Sequence, residues 1–431
     1  MAQVLPFQAY RYSASLGEEM SRLIAPPYDV IDPALRDTLY RLSEHNIARI
    51  TRADRREDAG NPYADAGALW EQWRGQRVVE RDARPALYVY EQHFEVHGQR
   101  YARTAVIGRV QLAKPGEGVM PHENTLLGPR MDRLELTRAT NTQFGLIFGL
   151  YDDAQGAVDR ALEAVRADRP LVHAVDGQDL LHRMWALTDP AAIAQVQQVI
   201  AHRDILIADG HHRYETCLAF QKEHPEWPAT GYAMMALVNM TSPGLVILPI
   251  HRCIKGLANF DLDAFLTAIR KDFHVQAYPG DTSGVRAAVI DETRRLQAQG
   301  RHALGLFTAD GVHRILTLRD TSALDAIEGH STAWRRLDVT VLHRLILERL
   351  GITAERLQAE SNVEYVQDYS HAINDAADRV TSGKCQMLFL LNPTRAEEVQ
   401  EVARHNERMP QKSTFFFPKM YSGLVFYRMD E

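Results

Sequence analysis

Residues Ile205-Leu206-Ile207-Ala208-Asp209-Gly210-His211-His212-Arg213-Tyr214-Glu215-Thr216 set an acid, a glycine and three cation-capable side chains directly after an apolar run. This order reads as a buried strand, a tight turn and a helix start. Gly210 lets the backbone turn and approach a ligand closely. The first N–H groups of the following helix and the Arg213 guanidinium both favour an anion there. Phosphoryl transfer needs cations to hold phosphate, an acid or metal to organise it, and a base near the attacking hydroxyl. Asp209 can hold Mg²⁺ or accept a hydroxyl proton, His211 and His212 can donate to the transferred group, and Arg213 can clamp a terminal phosphate through two N–H groups. The plainer alternative makes Asp209 a helix N-cap and leaves both histidines solvated.

The elements that must position these residues are mixed α and β. Tyr214, Cys217, Leu218 and Gln221 fall at helical spacing and Pro225 ends the run. Residues 87–96 and 101–112 are rich in strand formers around His97-Gly98, which predicts a hairpin whose second arm leads to a loop carrying His122. A strand over 180–187 and a helix over 190–202 precede the 205–209 strand. Strands are expected at 232–240 and 245–250, which sets Asn239, His251 and Arg252 at strand ends. From about residue 257 the pattern becomes helix, charged loop and short strand, with helices over 262–272, 283–299, 333–350 and 369–380, a strand over 386–391 and a helix over 395–408. The expected division is 1–255, holding the Asp-Gly-His-His-Arg turn, and 256–431, a C-terminal α/β lobe.

Composition narrows the class. The 431 residues are 45% hydrophobic, enough for well-formed cores in two or three domains. A net charge of -7, from 49 basic and 56 acidic residues, argues against a general nucleic-acid binder and makes any anion site local. The three cysteines, Cys217, Cys253 and Cys385, have neither disulfide-framework nor zinc spacing, so a reducing cytoplasm is expected. No signal segment or membrane-length apolar run is evident. Gly383-Lys384 is not a P-loop ending, because Asp378 stands in the place of the earlier glycine and Cys385 in that of Ser or Thr. No dinucleotide fingerprint, protein-kinase signature set or His-Glu-x-x-His zinc motif occurs.

The stretch Ala-Asp-Gly-His-His-Arg-Tyr-Glu-Thr resembles the signature of the DUF1015 family. Further matching stretches run nearly the length of the chain: residues 25–31 (Ala-Pro-Pro-Tyr-Asp-Val-Ile), 121–125 (Pro-His-Glu-Asn-Thr), Asp132-Arg133, Asn239 with Pro243-Gly244-Leu245, residues 248–252 (Leu-Pro-Ile-His-Arg) and residues 409–419. The Asp-Gly-His-His-Arg segment also resembles the phosphate-binding turn of the ParB, sulfiredoxin and archaeal free-serine kinase group. Together the resemblances imply an α+β fold with a ParB/sulfiredoxin-like core and a pyrophosphate-dependent serine kinase, with Mg²⁺ as counter-cation and small molecules as partners.

On that reading Glu123 or Asp209 is the base, and His122, Thr125, Tyr28, Asp29, Asn239 and His251 contact the substrate. Arg133, Arg252, Lys412, Ser413, Thr414 and Lys419 join Gly210 and Arg213 in holding phosphate. Each has a structural alternative: Tyr28-Asp29 as a turn, Asn239 as a turn residue, Arg133 as a solvated helical cation, and 412–419 as a core strand with exposed ends. Two other functions remain open, a ParB-like nucleotide-binding switch or partner-binding protein, and a kinase using ATP, ADP or another small alcohol.

Overall fold

A computed structural model describes residues 3–53, 60–114, 116–369 and 371–431. The described chain forms two compact units, residues 1–246 with 418–431, and residues 247–417. This differs from the expected division at 255/256. The C-terminal segment returns to the first unit, where Ser422 exchanges backbone hydrogen bonds with Ala25, Phe426 pairs with Tyr10, and Tyr427–Arg428 pairs with Thr142–Gln143.

The first unit is built on a mixed sheet. Its strands are β1 (Val4–Leu5), β2 (Leu87–Val96), β3 (Gln99–Gln111), β4 (Val119–Pro121), β5 (Ile147–Tyr151), β6 (Val172–Val175), β7 (Leu181–Leu187), β8 (Ile205–Asp209) and β9 (Tyr232–Asn239). Their spatial order is β4-β8-β5-β9-β3-β2-β7-β6, with β1 beside β3. The β2–β3 hairpin turns through His97 and Gly98, both at positive φ, as that dipeptide predicts. Two neighbouring pairs are parallel, β4 with β8 and β5 with β9.

Three helices of this unit start on an Asx-Pro pair. Asp32, Asn61 and Asp189 accept backbone N–H groups at the heads of α1 (Pro33–Leu42), α2 (Pro62–Gly75) and α4 (Pro190–Ala201). Proline at the first helical position loses no hydrogen bond, so the pair specifies the start. Helices α3 (Leu127–Thr140) and α5 (His211–Glu223) pack together. Val89, Ile147, Ile205, Ile207, Met235 and Leu237 cover one face of the sheet and bury Val196 and Ile200 of α4 with Tyr214 and Cys217 of α5. Each such apolar side chain contributes about 1.5–3 kcal/mol on burial, and this clamps the 205–223 strand-turn-helix unit onto the sheet.

The second unit has a sheet of β10 (Ile250–Ile254), β11 (Phe273–Pro279), β12 (Ala303–Thr308), β13 (Val312–Leu318), β14 (Val363–Gln367) and β15 (Met387–Leu390), in the order β11-β13-β12-β15-β10-β14. Helices α6 (Leu262–Ile269), α7 (Ser283–Ala298), α8 (Ala372–Thr381) and α9 (Ala396–Arg404) accompany it. The single helix expected over 333–350 is instead a succession of short α, π and 3-10 turns over 332–350. Pro249 separates β10 from the preceding short strand Val246–Leu248, so His251 and Arg252 lie inside a strand and not at its end. Phe415–Phe417 forms a short buried strand. Among the described residues no helix is long and apolar enough to cross a membrane.

Candidate active site

Strand register builds the site. In the parallel β4–β8 pair, Pro121 lies opposite Ile207, so His122 and Glu123 leave β4 where Asp209 and Gly210 leave β8. A register shift between Ile207 and Asp209 against β5 re-aims the end of β8. Carboxyl ends of neighbouring parallel strands are the usual place for a ligand in α/β sheets.

Gly210, at φ +92°, is the N-cap of α5, and no side chain caps the helix. Asp209 therefore does not serve as the cap. Its carboxylate is clasped by two cations instead: Oδ1 accepts from Lys419 Nζ, and Oδ2 accepts from Arg213 Nη2 at 2.6 Å. Burial alone would raise its pKa, but Lys419 and Arg213 overcome that and hold it well below the usual carboxylate range. Such a carboxylate is a poor proton acceptor. Both of its oxygens are spoken for, so the expected base and Mg²⁺-ligand roles of Asp209 are corrected to that of an anchor for two cations. Among the described residues no group of three or more His, Cys, Asp or Glu side chains is placed to hold a metal ion.

Arg213 threads between two glycines. Its Nη1 donates to the Leu146 carbonyl at 2.5 Å. A Cβ on Gly210 would stand 2.9 Å from Arg213 Nε, and one on Gly145 would stand 3.2 Å from Nη1. Arg213, Arg133, Tyr28, Thr51 and Ser422 line a cavity of about 50 Å³. Arg133 is buried, donates to the Thr51 carbonyl and to Asp132, and lies 3.9 Å over the Tyr28 ring. Burial lowers its pKa to about 10, so it remains a cation. Tyr28, which follows the Pro26-Pro27 pair, thus sits under an arginine at the cavity, while Asp29 is exposed.

The histidines organise the 122–126 loop. His122 Nδ1 donates to the Ile207 carbonyl at 2.7 Å. His211 Nε2 accepts the His122 N–H at 3.2 Å, and the two rings meet edge to face. His212 Nε2 accepts the Leu126 N–H at 2.8 Å, and burial holds the pKa of His212 below its ordinary value, against Glu215, Asp29 and Glu123. With Nε2 an acceptor in both rings, the proton of each neutral imidazole is on Nδ1. This narrows the expected donation to phosphate from either ring to Nδ1. His211 Nδ1 is 3.9 Å from Glu123 Oε2. Thr125 Oγ1 donates to Glu215 at 2.5 Å, so its hydroxyl is engaged by a residue that residue type alone did not single out.

Other expected residues stand elsewhere. Asn239 lies opposite Tyr151 at the far end of β5, whereas Asp209 lies opposite Phe148, an offset of three residues or roughly 10 Å. Its amide holds a turn: Oδ1 accepts from Asp153 and Thr241 N–H groups and Nδ2 donates to the Asp153 carbonyl, which corrects its expected substrate role. His251, Arg252, Lys412, Ser413 and Thr414 belong to the second unit. There Arg252 is fully buried and donates to the carbonyls of Ile250 and Lys412, which corrects its phosphate-binding role. His251 Nδ1 accepts the Leu391 N–H at 3.1 Å. Ser413 Oγ donates to the Pro410 carbonyl.

Fold and site define a mixed α/β protein that gathers cations around a buried carboxylate at the end of a parallel strand pair. The chain belongs to the family described as protein of unknown function, DUF1015, whose model matches residues 4–340. No curated protein matches the sequence. Solved structures with partial similarity include a free serine kinase in complex with AMP (13% identity, 75% of this chain and 91% of that one, TM-score 0.35). Others are a conserved hypothetical protein from Pyrococcus furiosus (14%, 73% and 92%, TM-score 0.34) and SbnI with C-terminal truncation from Staphylococcus aureus (9%, 74% and 86%, TM-score 0.34).

Proposed function

We propose that the protein transfers a phosphoryl group from pyrophosphate to the hydroxyl of free L-serine, giving O-phospho-L-serine and phosphate. The supporting observation is the juxtaposition of Arg213, Lys419 and the uncapped start of α5 with Glu123, one strand away. The cations and helix terminus suit phosphate oxygens. Glu123 is partly exposed and takes the serine proton as the serine oxygen attacks the terminal phosphorus. The P–O bond to the leaving phosphate breaks with its electron pair. Serine and pyrophosphate come from the motif resemblance. Mg²⁺ would enter with the phosphates, because the residues at Asp209 do not fit a protein-held ion.

Phosphorus NMR of the protein with L-serine, Mg²⁺ and, separately, pyrophosphate, ATP or ADP tests this reading. Phosphoserine from pyrophosphate alone is expected. Phosphoserine from a nucleotide only would replace the donor. Absence of transfer with tight nucleotide binding would favour the nucleotide-binding switch.

The glycines around Arg213 supply a second test. Gly210→Ala is expected to cost about 1–2 kcal/mol of stability in urea unfolding, because of its left-handed backbone, and to weaken pyrophosphate binding by displacing Arg213. Gly145→Ala displaces the same guanidinium without the backbone penalty, so affinity should fall with little loss of stability. Unchanged pyrophosphate affinity by calorimetry in both variants would remove Arg213 from the binding role.

A further inference from the structure

Lys419 reaches Asp209 from a segment with little regular structure, and a buried polar cluster on β2, β3 and β7 holds that segment by its backbone. Arg103 of β3 faces Gln92 of β2 across the hairpin. It is 1% exposed, lies 4.7 Å over the Phe148 ring, and donates through Nη2 to Gln92 Oε1 and to the Pro418 carbonyl, the latter at 2.5 Å. Gln92 Nε2 in turn donates to the Lys419 carbonyl at 3.1 Å. Two residues further on, the Tyr421 ring packs 4.4 Å from His182, whose own ring is held between Tyr90 and Asp176. Ser422 is then fixed by backbone pairing with Ala25.

We infer that Arg103 is a positioning residue for Lys419, acting through the Pro418 carbonyl with Gln92 as its second hand. The consecutive carbonyls of Pro418 and Lys419, which flank the Lys419 Cα, are each gripped by a buried side chain, so that Cα is placed before its side chain reaches Asp209. A buried arginine is an expensive way to fill a core, and a hydrophobic residue of that size would serve packing alone. Its Nη2 group, held in a planar guanidinium, instead reaches a side-chain carbonyl and a backbone carbonyl at once. The catalytic consequence rests on the phosphoryl-transfer reading, whereas the anchoring does not.

Hydrogen-exchange mass spectrometry of the full chain, paired with phosphotransfer kinetics, tests both parts. In Arg103→Met, peptides covering 418–422 should exchange at least ten-fold faster while those covering β4 and β8 keep their protection. Turnover should fall at least ten-fold, with Arg103→Lys recovering part of both. Gln92→Met should give a smaller version of the same pattern, and it decides the matter alone if Arg103→Met does not fold. Lys419→Met should lose turnover yet keep 418–422 protected. Unaltered protection of 418–422 in the Arg103 and Gln92 variants overturns the proposal, as does a uniform loss of protection that Arg103→Lys does not relieve. Should the wild-type chain show no phosphoryl transfer, the exchange result still decides the anchoring, so the two readings fail separately.

Discussion

Asp209→Asn should be both less stable and nearly inactive, with turnover lower by on the order of 10³-fold, the scale of a lost preorganised electrostatic contact. The carboxylate joins Lys419 and Arg213, each largely buried. Asparagine keeps the shape but offers one neutral oxygen to two cations, leaving their charges uncompensated. Removing one partner from a buried ion pair costs about 3–5 kcal/mol. Urea unfolding measures that loss. Pyrophosphate in millimolar amounts should restore part of it, because an anion that binds the folded state stabilises it by mass action and here replaces the missing charge. Wild-type stability and turnover in the variant would show that Asp209 anchors nothing of consequence.

The same group governs acid behaviour. Its folded pKa is depressed, so its contribution is present above the unfolded value of about 4 and is lost as pH falls through the folded one. Stability of the wild-type chain should therefore drop between roughly pH 4 and pH 2 more steeply than that of Asp209→Asn. The difference between the two curves isolates this carboxylate from the other acids of the chain.

Much of this arrangement was legible in residue order, because it is local. The strand, turn and helix of 205–223 follow from an apolar run, a glycine and helical spacing, and the 87–111 hairpin from its turn dipeptide. The pairing of β4 with β8 was not, since these parallel neighbours are chosen by packing between residues 86 apart, and only that pairing sets Glu123 beside His211. Arg103 was missed although it alternates onto the same strand face as Ala105 and Ile107. A cation on a buried face was the available signal. The clasp on Asp209 was hidden for a different reason: Lys419 lies 210 residues away, and nothing local tells a lysine next to three phenylalanines which unit it will join. Asn239 and Arg252 misled because polar residues at supposed strand ends also complete turns and brace backbones.

Glu123→Gln should separate chemistry from binding. Glu123 leaves β4 beside the turn, is partly exposed, and stands 3.9 Å from His211 Nδ1, which carries the proton when Nε2 accepts the His122 N–H. Glutamine matches its size and can still meet His211 through its carbonyl oxygen, so stability should change by no more than about 0.5 kcal/mol. It cannot take a proton from the serine hydroxyl, and turnover should fall by about 10²–10⁴-fold with the KM for pyrophosphate little altered. A second comparison sharpens the assignment. The limb of the pH–rate profile that reports deprotonation of the base should vanish in Glu123→Gln and persist in Gly145→Ala, which disturbs Arg213 and leaves Glu123 in place. A rise in KM with unchanged turnover would make Glu123 a binding residue and return the search for the base to the other carboxylates that act on His212, Asp29 and Glu215.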